Sequence, residues 1–228
     1  MNVANLITVL RFPLLVVIVL LLYSGGTVGP LIGTPLIVGL ILMDSLDGFV
    51  ARRRDEQTLI GGALDIAADR AVEIVLWVTY AHLRLVSVAI PLTVVIRGAL
   101  TDSIRNVALQ HGQSAHSMMR SSWGRWLVKS GAMRTSYGVA KAFAFTLLAL
   151  ALGLQTGGYA AWHGVWIVAS VASWIAVVLC IVRGLPVLIE VRGLFQSAEF
   201  QVAAPPISHE SAHTELGGAP KSATNFTN

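Results

Sequence analysis

Asp44, Asp47, Asp65 and Asp69 are four of only twelve acidic residues, and they lie within or at the ends of long apolar runs. An ionisable side chain at membrane depth costs several kcal/mol, roughly 2.5–3.5 for an aspartate by insertion scales, so each needs a partner and a role. Asp44, Asp47, Gly48 and Ala51 stand at i, i+3, i+4 and i+7. Gly61, Asp65 and Asp69 stand at i, i+4 and i+8. Each set therefore lines one face of a helix. A short connection makes the two helices antiparallel neighbours whose acidic faces can meet. Four carboxylates converging in a low-dielectric site repel one another unless cations intervene. Oxygen donors without His or Cys nearby select Mg²⁺ or Mn²⁺ over zinc. Two such ions suit transfer at a phosphorus centre, where they clamp the entering and leaving oxygens. Gly48, Ala51 and Gly61 permit close helix packing and also leave room for a flat, bulky group beside the metals. On these residues alone, a cation transporter and a catalytically silent membrane scaffold are the competing readings.

The elements that carry these residues follow from composition. Of 228 residues, 55% are apolar and 12% charged, with a mean hydropathy of +0.71. A soluble domain devotes about a quarter of its residues to charge. Long apolar runs recur through the first 195 residues and read as one all-α, polytopic membrane domain with six transmembrane helices. The spans are expected at roughly 5–24, 31–52, 58–82, 86–109, 136–155 and 160–183, with turn chemistry at Ser24-Gly25-Gly26 and Gln155-Thr156-Gly157-Gly158. The start of the chain has no charged segment before its apolar run and reads as a first span rather than a cleaved signal. Residues 196–228, with Ala203-Ala204-Pro205-Pro206 and a Ser/Thr/Gly/Asn-rich end, read as a mostly disordered cytoplasmic tail. Cys180 is the single cysteine and reads as a buried thiol.

The net charge of +4 and pI near 9.6 do not indicate nucleic acid, because the basic residues sit between apolar runs. Arg52, Arg53 and Arg54 mark one connection, and Arg105, Arg120, Arg125, Lys129 and Arg134 another, while the opposite loops hold only Arg84. The positive-inside rule then puts both termini, the basic loops and the acidic faces on the cytoplasmic side of the cytoplasmic (inner) membrane. Met118, Met119, Trp123, Trp126, Leu127 and Val128 interrupt the charge of the second basic connection, as an interfacial amphipathic segment would.

Asp44-Ser-Leu-Asp47-Gly48-Phe-Val-Ala51-Arg52, eight further residues, then Gly61-Gly-Ala-Leu-Asp65-Ile-Ala-Ala-Asp69 resembles the signature of the CDP-alcohol phosphotransferases, D-x2-D-G-x2-A-R-x8-G-x3-D-x3-D, at every fixed position. The resemblance implies a membrane enzyme that displaces CMP from a CDP-linked donor, usually CDP-diacylglycerol, with an alcohol acceptor. It implies that Asp44, Asp47, Asp65 and Asp69 hold divalent metals, that Asp69 also serves as general base, and that Gly48, Ala51, Arg52 and Gly61 line the cytidine diphosphate site. It further implies a homodimer. Metal ions and an arginine stabilising charge on a departing CMP match the demands of phosphoryl-type transfer.

Three features bear on the acceptor. Asn5-Leu-Ile-Thr8-Val-Leu-Arg11 is similar to the N-x2-T-x2-R opening of many members, phosphatidylglycerophosphate synthases among them; an interfacial helix start with a snorkelling arginine reads the same residues differently. Arg97 and Arg105 fall on one face of the fourth span, suited to a phosphate, although an internal ion pair with Asp102 is the alternative. Gly138-Val139-Ala140-Lys141 keeps the glycine and second lysine of a Gly-Lys-x-Lys sequence found in glycerophosphate-type members, and Gly98 stands where those members often carry Glu. Arg97, Arg105, Arg134 and Lys141 together favour an acceptor that already bears a phosphate, glycerol 3-phosphate first, with inositol phosphate or phosphatidylglycerol as alternatives. The histidines show no metal-ligand spacing inside a span.

Overall fold

A computed structural model of the chain describes residues 3–54, 59–110 and 131–202. Those residues form six helices and no strand: α1 (Val3–Leu22), α2 (Val28–Arg54), α3 (Leu59–His82), α4 (Ala89–Gln110), α5 (Gly131–Thr156) and α6 (Trp162–Val202). Each expected span coincides with a helix. Asn5–Tyr23, Thr135–Thr156 and Trp162–Leu185 are long and apolar enough to cross a membrane, and α2 contributes a shorter apolar stretch, Val28–Asp44. The helices that fall below that hydropathy, α3 and α4, are the ones interrupted by Asp65, Asp69, Arg70 and Glu73, and by Arg97, Asp102 and Arg105. The residues that lower their hydropathy are thus mostly those with candidate roles in the site.

Turn chemistry ends the helices where the glycines predict. At the end of α5, Gly158 adopts φ +71°, with its N–H donating to the Gln155 carbonyl and the Tyr159 N–H reaching back to Leu154. This paired closure needs a left-handed residue at its corner, which glycine supplies without Cβ strain. The end of α3 closes the same way, through Arg84 N–H to Ala81 and Leu85 N–H to Tyr80, but Arg84 itself takes the left-handed corner at φ 60°.

The helices pack α1 on α2 and α3, α2 on α5, and α3 on α4. Gly153 lets α5 come close to α2: a Cβ there would lie 2.9 Å from Leu31 Cγ. Small residues at such crossings are the usual means of tight packing between membrane helices. The core gathers Ile18, Ile37, Leu40, Leu76, Trp77, Tyr80, Phe145 and Leu148. Trp77 meets Phe145 edge-on at 4.6 Å, and the Tyr80 hydroxyl donates to the Phe145 carbonyl at 2.7 Å.

Buried beside this core are Thr8, Arg11, Glu73, Thr79, Thr101 and Ser173, whereas Val16, Val17, Leu20, Val171, Trp174, Ile175 and Val178 face outward. Contiguous outward apolar surface with ionised groups inside is the arrangement of a protein solvated by lipid. Met1–Val191 forms one compact unit, and the residues from Arg192 onward belong to a second. α6 continues to Val202, so the first residues of the segment read as a tail are helical. Residues 203–228 and the stretch from Met118 to Val128 lie outside the described residues.

Candidate active site

The charged side chains collect at one end of the bundle, toward the N-terminal halves of α1, α3 and α5 and the C-terminal halves of α2 and α4. The turns at the other end are tied by Tyr23 hydroxyl to His82 Nδ1 at 2.8 Å and by Trp166 Nε1 donating to the Leu85 carbonyl at 2.9 Å.

Arg11 is the first surprise. It is 2% exposed and bridges the two acidic helices, with Nη2 at 2.8 Å from Asp44 and Nη1 at 3.5 Å from Asp65. A snorkelling role is therefore replaced by a buried one, in which a single guanidinium on α1 compensates carboxylates from α2 and α3. Planar, fixed donors make arginine suited to joining two carboxylates. Asp69 pairs instead with Lys141 of α5, Nζ to Oδ1 3.2 Å. Among the described residues, which leave out the Asp47 side chain, no three potential ligands cluster tightly enough to hold a metal, and side-chain cations stand against Asp44, Asp65 and Asp69. The donors nevertheless fit a hard divalent ion. Asp44, Asp65 and Asp69 offer only oxygen, and each is 40–49% exposed, so the carboxylates remain accessible.

Asp47, Gly48, Ala51 and Arg52 belong to α2, Arg105 to α4 and Arg134 to α5, but their side chains lie outside the described residues. Gly61 sits one turn before Asp65 on α3.

Sequence reading passed over a second layer. Glu73 is buried and accepts a hydrogen bond from the Tyr137 hydroxyl. Lys141 Nζ lies 3.6 Å from it and Arg70 Nη1 3.8 Å. Arg70 also reaches Asp102 of α4 at 3.3 Å. The signal was available: Asp65, Asp69 and Glu73 continue one stripe at i, i+4 and i+8, and Tyr137 precedes Lys141 by one turn. Asp102 accordingly takes Arg70 as its ion-pair partner; no pair with Arg97 is seen.

Two glycines make room for this layer. A Cβ on Gly98 would come 3.3 Å from Arg70 Nη1, so the space beside α4 is filled by a guanidinium from α3. A Cβ on Gly184 would lie 3.0 Å from both Cγ and Nε of Arg97. Arg97 Nε is buried and has no hydrogen-bond partner among the described residues. A buried donor without an acceptor is costly, about 1–3 kcal/mol, and such a donor is suited to an anionic ligand.

A helical bundle with outward apolar surface and a layered carboxylate–cation cluster at one end defines an integral membrane protein. The chain belongs to the CDP-alcohol phosphatidyltransferase family, whose sequence profile matches residues 1–182. It is 30% identical over 170 residues to a CDP-diacylglycerol–glycerol-3-phosphate 3-phosphatidyltransferase of Pseudomonas fluorescens, an alignment covering 71% of this chain and 86% of the relative. The protein is thus a transferase of phospholipid synthesis, with CDP-diacylglycerol, an alcohol acceptor and membrane lipids as the partners the family implies. The readings as a transporter or a silent scaffold give way to that membership.

Proposed function

We propose that the protein transfers the phosphatidyl group of CDP-diacylglycerol to a phosphorylated alcohol, glycerol 3-phosphate first, at the cytoplasmic face of the inner membrane. Six spans with both termini inside, and a homodimeric enzyme, complete this reading. The observation that carries it is the cation set around the acidic face: Lys141 at 3.2 Å from Asp69, and Arg97 with a buried Nε that has no hydrogen-bond partner among the described residues. A neutral alcohol gives no reason to keep so much positive charge beside the reacting group. The name of the relative from Pseudomonas fluorescens points to the same acceptor. Inositol phosphate fits the same cations and remains the second candidate.

In this mechanism Asp69 accepts the proton of the acceptor hydroxyl. The freed oxygen attacks the phosphorus bound to diacylglycerol, the bond from that phosphorus to the bridging oxygen breaks, and CMP leaves with the electron pair. Lys141, Arg97, Arg105 and Arg134 hold the acceptor's phosphate. Arg52, with Gly48, Ala51 and Gly61, forms the cytidine diphosphate site, and Arg52 offsets charge on departing CMP. Asp44, Asp47, Asp65 and Asp69 would hold two Mg²⁺ or Mn²⁺ ions, which would supply electrophilic charge against the diphosphate.

CMP release by purified protein given CDP-diacylglycerol, Mg²⁺ or Mn²⁺ and a panel of acceptors tests the proposal. Turnover is expected with glycerol 3-phosphate and not with choline, ethanolamine or free inositol; turnover confined to the unphosphorylated alcohols overturns it. Asp69→Asn is expected to lower CMP release by about 10²-fold or more while sparing CDP-lipid binding. Wild-type turnover in that variant removes Asp69 from the base role.

A further inference from the structure

Glu73 is too deeply buried to touch a substrate, yet it is among the most heavily partnered ionisable groups described. It lies on α3 one turn beyond Asp69, accepts from Tyr137, and faces Lys141 at 3.6 Å and Arg70 at 3.8 Å. Each of those cations has a second carboxylate that is about half-exposed: Asp69 at 3.2 Å from Lys141, and Asp102 at 3.3 Å from Arg70. Lys141 is held from another side as well, its ammonium 5.4 Å from the Tyr137 ring centroid. Glu73 is thus the buried common point of a fork whose two arms end at accessible carboxylates on α3 and α4.

Taking a carboxylate out of water costs several kcal/mol, and a buried ion cluster seldom repays that in stability over an apolar core. What such a cluster does supply is a fixed position for long, flexible side chains. A lysine ammonium on four methylenes loses rotamer entropy when ordered, and Glu73 with Tyr137 bears that cost before any substrate arrives. A second effect concerns charge. With Glu73 present, Lys141 divides its attraction between two carboxylates and keeps donor capacity for a further anion. Without it, the ammonium would close on Asp69 alone.

We infer that Glu73 is a positioning residue, which through Lys141 sets the ammonium in place for the acceptor's phosphate. This rests on the proposed role of Lys141 in acceptor binding. The test is a double-mutant cycle between Glu73→Gln and Lys141→Met, with KM measured separately for glycerol 3-phosphate and CDP-diacylglycerol. Gln keeps the size and can still accept from Tyr137 through Oε1, while an uncharged NH2 replaces the oxygen that faces Lys141 and Arg70.

Glu73→Gln is expected to raise the KM for glycerol 3-phosphate about tenfold or more, the size of one charge-assisted hydrogen bond. The KM for CDP-diacylglycerol should stay within about twofold, and in the Lys141→Met background Glu73→Gln should add less than about twofold. Glu73→Asp, which restores the charge on a shorter stem, should fall between wild type and Glu73→Gln; it also serves as the probe if Glu73→Gln does not fold. An unchanged acceptor KM, an equal rise for both substrates, or full additivity with Lys141→Met overturns the positioning role. If Lys141→Met itself leaves the acceptor KM unchanged, the assignment of Lys141 falls first and Glu73 with it.

Discussion

A guanidinium with 2% of its side chain exposed, inside a bundle solvated by lipid, requires anions within reach. Among the described residues Arg11 meets Asp44 at 2.8 Å and Asp65 at 3.5 Å. The relation is reciprocal, since those two carboxylates on neighbouring helices would otherwise repel. Arg11→Met should therefore destabilise the protein most when no divalent ion can stand in for the lost charge. The expected loss is about 1–2 kcal/mol in chelator, below the cost of breaking a fully buried pair because both aspartates keep access to water. A melting temperature that falls further in EDTA than in Mg²⁺ is the outcome to look for; an equal fall in both would separate Arg11 from the proposed metal site. At this same scale, Arg97 and Gly184 act together. Gly184→Leu would displace the guanidinium from its place against α6, and acceptor KM should rise while CDP-diacylglycerol KM does not.

Among the helices, the turns decide how faithfully the faces are presented. α3 and α5 end in the same hydrogen-bonded closure, one with Arg84 and the other with Gly158 at the left-handed corner. Nothing lies within 4 Å of a Cβ placed on Gly158, so Gly158→Ala isolates the backbone term. It should cost about 1 kcal/mol, while Arg84→Gly should gain up to about 1 kcal/mol, the larger entropy of the unfolded glycine offsetting part of the relief. Thermal unfolding in detergent micelles reads both, and turnover should be unaffected because these corners lie at the end opposite the charged site. Equal shifts of the same sign would mean that side-chain contacts, rather than backbone conformation, govern the corners.

For the whole molecule the question is how the six described helices, of unequal hydropathy, sit in one bilayer. α1, α5 and α6 carry windows apolar enough to span alone; α3 and α4, interrupted by Asp65, Asp69, Glu73 and Asp102, rely on their neighbours to shield those side chains. If all six cross, the turns after α1 and α3 lie outside and the basic connections inside. In a Cys180→Ala background, Gly26→Cys and Val88→Cys should react with an impermeant thiol reagent added to intact cells, while Glu56→Cys and Ser208→Cys should react only after permeabilisation. Labelling of Glu56→Cys from outside would exclude the six-span arrangement.

The helical nature of the described residues, the approximate extent of each helix, the corners at Gly25 and Gly158 and the alignment of Asp65 with Asp69 were legible in the sequence. All of these are local: apolar run length, glycine chemistry and a 3.6-residue period act within a few turns. Even Glu73 lay within reach of that logic, one turn further along the stripe from Asp69. The pairing of charges was not legible, because a salt bridge between helices carries no local signature. Arg97 and Asp102 are close in sequence, yet Asp102 pairs with Arg70, a residue 32 positions away. Arg11 reaches Asp65 across 54 positions and Lys141 reaches Asp69 across 72. The sequence determined which residues carry charge into the bilayer; only the packing of α1, α3, α4 and α5 decided which cation answers which carboxylate, since that depends on helix rotation and separation.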